Sequence, residues 1–101
     1  MSRVVIRLVN SEKMHDFYFT EDIVGLAKQL RAAHYVTAAT LLLTEAGEEA
    51  AEEAFDLTNN PMRQDQRAEV YGRQRSVSVG DIVTVDGTDY LCAPVGWLQL
   101  V

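Results

Sequence analysis

The sequence is short of several things. It has one cysteine, Cys92, in 101 residues. That excludes an internal disulfide and a cysteine-based zinc cage. No apolar run approaches the roughly 18 residues of a membrane span. The first ten residues, with Arg3 and Arg7, are too short and too charged for a secretory leader. There is no glycine-rich phosphate loop, because Gly80, Gly87 and Gly96 are spaced as turns. Basic residues are few, 9 against 15 acids, and the net charge is −6. A nucleic-acid binder usually carries the opposite, basic footprint. These absences predict a cytoplasmic domain with no membrane contact, no direct nucleic-acid binding, no metal and no cofactor.

What the chain does have is patterned. Hydrophobic residues make up 48% of it, enough for one modest core. From Arg3 to Val9 the pattern has period two. Val4, Ile6 and Leu8 point one way and Arg3, Val5, Arg7 and Val9 the other, which predicts a strand. After turn chemistry at Asn10–Lys13, the aromatic stretch Phe17–Phe19 reads as a short returning strand. Thr20 is a good N-cap for an amphipathic helix over 20–33, with Ile23, Leu26, Ala27, Leu30 and His34 at helical spacing. In Tyr35–Leu43 the β-branched and aromatic start favours a buried strand, although its Ala and Leu content would also tolerate a continued helix.

Glu45–Leu57 is the clearest helix. Ala50, Ala51, Ala54, Phe55 and Leu57 or Thr58 line one face, with Asn59 or Asn60 as a left-handed C-cap and Pro61 as the stop. Residues 62–75 read as a long, exposed, Arg-rich connection with a short helical turn at Gln64–Val70. Ile82–Val85, the Asp86-Gly87 turn signal and the residues after it predict a type I′ hairpin. It pairs Val85 with Thr88, Thr84 with Asp89, Val83 with Tyr90 and Ile82 with Leu91. A last strand follows from Trp97, whose ring closes the core.

Charge is distributed unevenly. Glu45, Glu48, Glu49, Glu52, Glu53 and Asp56 put six acids in 12 residues with no base among them. The like-charge i,i+4 pairs Glu48–Glu52 and Glu49–Glu53 each cost about a few tenths of a kcal/mol. Such a face is either simply solvated or a surface for a basic partner. The next segment carries Arg63, Arg67, Arg73 and Arg75, which either pair internally with the acidic helix or meet an acidic partner or phosphate. Tyr71 is the only ring nearby, which argues against a single-strand nucleic-acid groove. His15, His34 and Cys92 are the remaining chemistry-bearing set. A Cys–His nucleophile needs a base within hydrogen-bond reach, and a cysteine in a strand usually behaves as a small hydrophobe.

One joint pattern is more specific. Ala54-Phe55-Asp56-Leu57-Thr58-Asn59 precedes Arg75-Ser76-Val77-Ser78-Val79-Gly80-Asp81, then Asp86-Gly87, Tyr90 and Gly96-Trp97. This order, over Glu53–Leu98, resembles a group of small uncharacterised proteins from phages, plasmids and actinomycete genomes. The resemblance implies a mobile-element context and no particular reaction.

Together these readings predict a single α+β domain over 1–101. Two helices pack on one face of a mostly antiparallel sheet of four to six strands, and the C-terminal hairpin and last strand form a small barrel-like unit around Trp97. The expected function is a non-enzymatic interaction protein of a mobile genetic element. In its sharpest form it inhibits a host defence nuclease, a restriction or CRISPR complex. Its partner is a basic protein, met through Glu48, Glu49, Glu52, Glu53, Asp56, Arg63, Arg67, Arg73 and Arg75. Two alternatives stand beside it: a small ligand-binding domain or enzyme using His15, His34 and Cys92, and an accessory module of plasmid or phage replication or transfer that forms a homodimer through an edge strand.

Overall fold

Ile82–Val85 is buried at all four positions. A strand with no solvent face belongs inside a sheet that is covered on both sides. The computed structural model, which describes residues 1–101, places it there. In chain order the elements are β1 (Ser2–Val9), α1 (Ser11–Met14), a 3-10 helix at His15–Tyr18, α2 (Ile23–Leu30) and β2 (Tyr35–Leu43). Then follow α3 (Gly47–Asn59), a 3-10 helix at Pro61–Arg63, α4 (Gln64–Val70), β3 (Ile82–Val85), β4 (Thr88–Cys92) and β5 (Trp97–Leu100). The strands form one antiparallel sheet in the order β2-β1-β3-β4-β5. The chain is thus α+β.

The helices divide between the two faces of the sheet instead of sharing one. On the first face, Ala50, Ala51, Ala54 and Leu57 of α3 pack on Val4, Ile6, Val83, Val85 and Cys92. The three alanines are completely buried, and their small side chains let the helix lie close to the strands. On the second face, Ala27 and Leu30 of α2, with Phe17, cover Val9, Ile82, Leu91 and Leu100. Ile82 and Val83 are neighbours in one strand, so period two sends them to opposite cores. Each such fully buried side chain contributes about 1.5–3 kcal/mol.

Local chemistry sets the element ends. Asp22, not Thr20, caps α2: its carboxylate accepts from Gly25 N–H at 2.9 Å, while Thr20 Oγ1 accepts from Asp22 N–H. The helix is therefore shorter than 20–33. Asn60 ends α3 in an extended conformation, with its side chain accepting from Met62 N–H, so neither asparagine takes the left-handed cap. In the β3–β4 hairpin both turn residues have positive φ, 47° at Asp86 and 85° at Gly87. The pairs are those the type I′ turn predicts, Val85–Thr88 to Ile82–Leu91, and Thr84 Oγ1 donates to Asp89 at 2.6 Å.

Other expectations are corrected. Phe17–Phe19 is no returning strand: both sides of β1 are already taken by β2 and β3, and the segment winds so that Phe17 alone is buried. Tyr35–Leu43 is a strand, but at the sheet edge, with Val36, Thr37, Thr40 and Leu42 exposed. A bulge at Ala38 shifts its register against β1 between Ile6 and Arg7. The sheet is open and no barrel forms. Trp97 sits at its margin, half-buried, edge-on to Phe55 with ring centroids 6.3 Å apart.

Candidate functional site

The connection after α3 is largely exposed, as expected, and its helical turn is α4 over Gln64–Val70. Pro61–Arg63 and α4 fold it back beside α3, and Tyr71 at its end is buried. Three of its four arginines are anchors. Arg63 forks onto Glu53, with Nη1 and Nη2 at 2.9 and 2.7 Å, and Nη1 also reaches Asp56 at 2.8 Å. These two carboxylates, Glu53 first, hold the guanidinium above its usual pKa. Arg67 closes the C-terminus of α3: Nη1 donates to Thr58 O at 2.9 Å, Nη2 donates to Gln74 O, and the guanidinium lies 5.3 Å from the centroid of the Tyr71 ring. A cation there satisfies a terminal helix carbonyl and complements the dipole.

Arg75 goes deepest. Its Nη1 and Nη2 donate to the two oxygens of Asp81 at 2.6 and 2.7 Å, and Nη2 also donates to Val9 O. Asp81 is fully buried and also accepts from Val9 N–H and Ser78 N–H. Tyr35 and Tyr71 bracket this centre, their hydroxyls donating to Gly80 O and Arg75 O. Burial, and then the Asp81 charge, raise the pKa of both tyrosines. Only Arg73 is exposed and unengaged. The Arg-rich segment therefore serves the fold through Arg63, Arg67 and Arg75, which leaves Arg73 alone free for a partner.

The acidic face is correspondingly smaller. Glu53 and Asp56 are paired with Arg63. Glu48 and Glu49 are exposed at the N-terminal end of α3 and take no base. Glu52 accepts from the indole Nε1 of Trp97 at 2.8 Å. Beside it lies a cleft of 190 Å³ lined by Glu52, Phe55, Pro94, Gly96 and Trp97. Val95, at the tip of the adjoining turn, is 92% exposed. The composite is a carboxylate rim around an aromatic and proline surface. Trp97 was expected in the core, and only the β4–β5 pairing brings it to Glu52.

His15, His34 and Cys92 are not gathered. Cys92 is buried on the α3 face, and burial pushes its thiol up to about 12, so at neutral pH it holds no thiolate. His15 is exposed in the 3-10 helix and His34 lies in the turn after α2. No group of three or more His, Cys, Asp or Glu side chains stands at metal-binding spacing. No helix is long and apolar enough to cross a membrane.

Comparison with family models, curated proteins and solved structures finds no match to this chain. In the sequence Asp81 stands only as the end of the Arg75–Asp81 motif that introduces a strand, and Arg3 and Arg7 only as part of one side of β1. The Arg75–Asp81 motif and the Arg-x-x-x-Arg spacing are the signals that point to them.

Proposed function

We propose that the protein is a non-enzymatic protein-binding domain of a mobile genetic element, and that the N-terminal half of α3 with the Trp97 cleft receives a basic partner. One observation carries this reading. Glu48 and Glu49 lack any base while Glu53 and Asp56, on the same helix, are neutralised by Arg63. Unpaired carboxylates on the helix whose Glu52 meets the half-buried Trp97 favour a lysine- or arginine-bearing segment, which gains from both charge and ring. Such a segment is typical of proteins that grip nucleic acid. The resemblance over Glu53–Leu98 supports the mobile-element setting. In its sharpest form the partner is a host defence nuclease, a restriction or CRISPR complex, which this domain inhibits.

The test is capture from a bacterial lysate by the wild type, by the Glu48→Gln/Glu49→Gln/Glu52→Gln variant, and by a control with Asp65→Asn and Glu69→Gln on α4. The expected result is a basic protein held by wild type and control, released by modest salt, and lost with the α3 variant. Equal capture by all three, or a complex indifferent to salt, overturns the reading.

The sheet edge supports a secondary proposal, self-association through β2. This edge strand has nine uncharged residues, with Val36 61% and Leu42 67% exposed. From outside the sheet Gln74 Nε2 donates to Ala38 O at 2.7 Å, and the Tyr35 hydroxyl donates to Gly80 O. Sedimentation is expected to show a concentration-dependent dimer, and a monomer at all concentrations removes the proposal.

A further inference from the structure

The second face of the sheet is covered by α2 and Phe17 only around Val9, Ile82, Leu91 and Leu100. The rest of it, across β2, β1 and β3, is a concavity of 430 Å³ lined by Arg3, Val5, Arg7, Thr37, Thr40, Thr84, Asp86 and Gly87. Arg3, Val5 and Arg7 alternate onto this face along β1. Register places Thr37 opposite Arg7, and Thr40 and Thr84 on either side of Val5.

Three observations make this surface unlike the rest of the molecule. First, Arg7 Nε is buried and has no hydrogen-bond partner, the one buried side-chain nitrogen or oxygen in that condition. Polar groups placed out of water are ordinarily paired. Second, neither Arg3 nor Arg7 forms an ion pair, in a chain where acids outnumber bases. Third, the nearby carboxylates are already engaged. Asp89 is held by Thr84 Oγ1 and Arg31, and Asp86 accepts from the Arg3 backbone N–H. Thr37 stands exposed opposite Arg7, and Thr40 exposed opposite Val5 on the same lining.

We propose that this concavity binds a phosphate group, with Arg7, Thr37 and Thr40 as its principal donors and Arg3 as a second cation. Guanidinium forks and hydroxyls match the several acceptor oxygens of a tetrahedral dianion. Asp86 lies at the Arg3 end, because its N–H donates to Arg3 O. The phosphate therefore sits toward Arg7 and Thr37. The site is independent of the acidic face, which lies across the sheet.

The phosphate is free or is the terminal group of a small monoester. Titration at pH 8 in 0.1 M sodium chloride, followed by 31P line broadening and by thermal stability, uses inorganic phosphate and phenyl phosphate as probes. Added chloride at matched ionic strength is the control. Phosphate is expected to stabilise the wild type beyond chloride. Arg7→Gln and Thr37→Val are expected to weaken binding, Arg7→Gln by about tenfold or more, since one charged hydrogen bond is worth at least that. Arg3→Gln weakens it less. A tighter fit for phenyl phosphate identifies a monoester site, and equal affinity a free-anion site. Thr37 is on the exposed edge strand, so its variant keeps the test decisive if Arg7→Gln folds poorly. Phosphate acting no more than chloride, or binding unchanged in Thr37→Val and Arg3→Gln, overturns the proposal.

Discussion

Two ion-paired centres are built from the same segment and the same chemistry, yet they do different work. Arg75 and Asp81 meet in the interior, where Asp81 has no exposed surface. Arg63 meets Glu53 and Asp56 along the outside of α3, with Asp56 47% exposed. The inner centre ties the end of β1, through Val9 N–H and O, to the approach to β3. The outer one clips α4's lead-in to the helix it follows. A buried carboxylate whose partners are all fixed loses much when one is removed, whereas water can replace a lost surface partner. Burial of the carboxylate, not of the guanidinium and not charge, therefore ranks these centres.

The largest break in that comparison comes from the inner centre. Asp81→Ala leaves the Arg75 guanidinium and the N–H groups of Val9 and Ser78 without their acceptor. A loss of about 3–5 kcal/mol is expected in urea unfolding. A loss below about 1 kcal/mol would show that water reaches the site and that the two centres are equivalent.

Next is Gly80→Ala, in the same loop. Gly80 has φ of +96°, and a Cβ there would lie 2.7 Å from the Phe17 ring. Backbone strain of about 1–3 kcal/mol, plus displacement of Phe17, should appear as a lower unfolding midpoint and altered near-ultraviolet dichroism. An unchanged midpoint would mean that Phe17 yields freely and that the second core is loosely packed.

Arg63→Gln should cost only about 1 kcal/mol, a figure that shrinks as salt rises. The measurement is a double-mutant cycle with Glu53→Gln at two salt concentrations. A coupling as large as the Asp81 effect would erase the distinction between the centres.

The smallest effect at neutral pH, and the one that grows with alkali, belongs to the protons of Cys92, Tyr35 and Tyr71. Burial is the first cause of each upward shift. A folded-state pKa above the unfolded one means that the unfolded chain loses its proton first. Stability is thus complete below the unfolded pKa and declines as pH rises. For Cys92 the window runs from 9.0 to about 12. The tyrosines add to the decline above 10, their ordinary value. Urea midpoints between pH 8 and 11 should fall, and Cys92→Ala should flatten the first part of that fall. A midpoint constant to pH 11 would contradict the burial of all three.

Much of the fold was legible because its signals are short-range. The Asp86-Gly87 turn needs two positive-φ residues, and their identity alone predicts the β3–β4 register. The alanine stripe of α3 and the Gln64–Val70 turn follow from helical spacing. The errors lie where a segment's fate depends on what its neighbours already occupy. Phe17–Phe19 looks like a strand, but no edge of β1 was left to pair with it. For the candidate site, the acidic run was visible, but not that Arg63 removes Glu53 and Asp56 from it, nor that Trp97 joins Glu52.

By itself, then, the sequence determined the element types, the hairpin pairing and the uneven distribution of charge. Each of these rests on backbone preferences and side-chain spacing within one or two turns of chain. Tertiary structure alone decided which charges remain free. Arg75 finds Asp81 and Val9 only when strands far apart in the chain meet, and Arg7 stays unpaired while Asp86 and Asp89, the carboxylates near its face of the sheet, are held by other groups. Pairing of a charge depends on distance and desolvation in three dimensions, and neither is a property of local sequence.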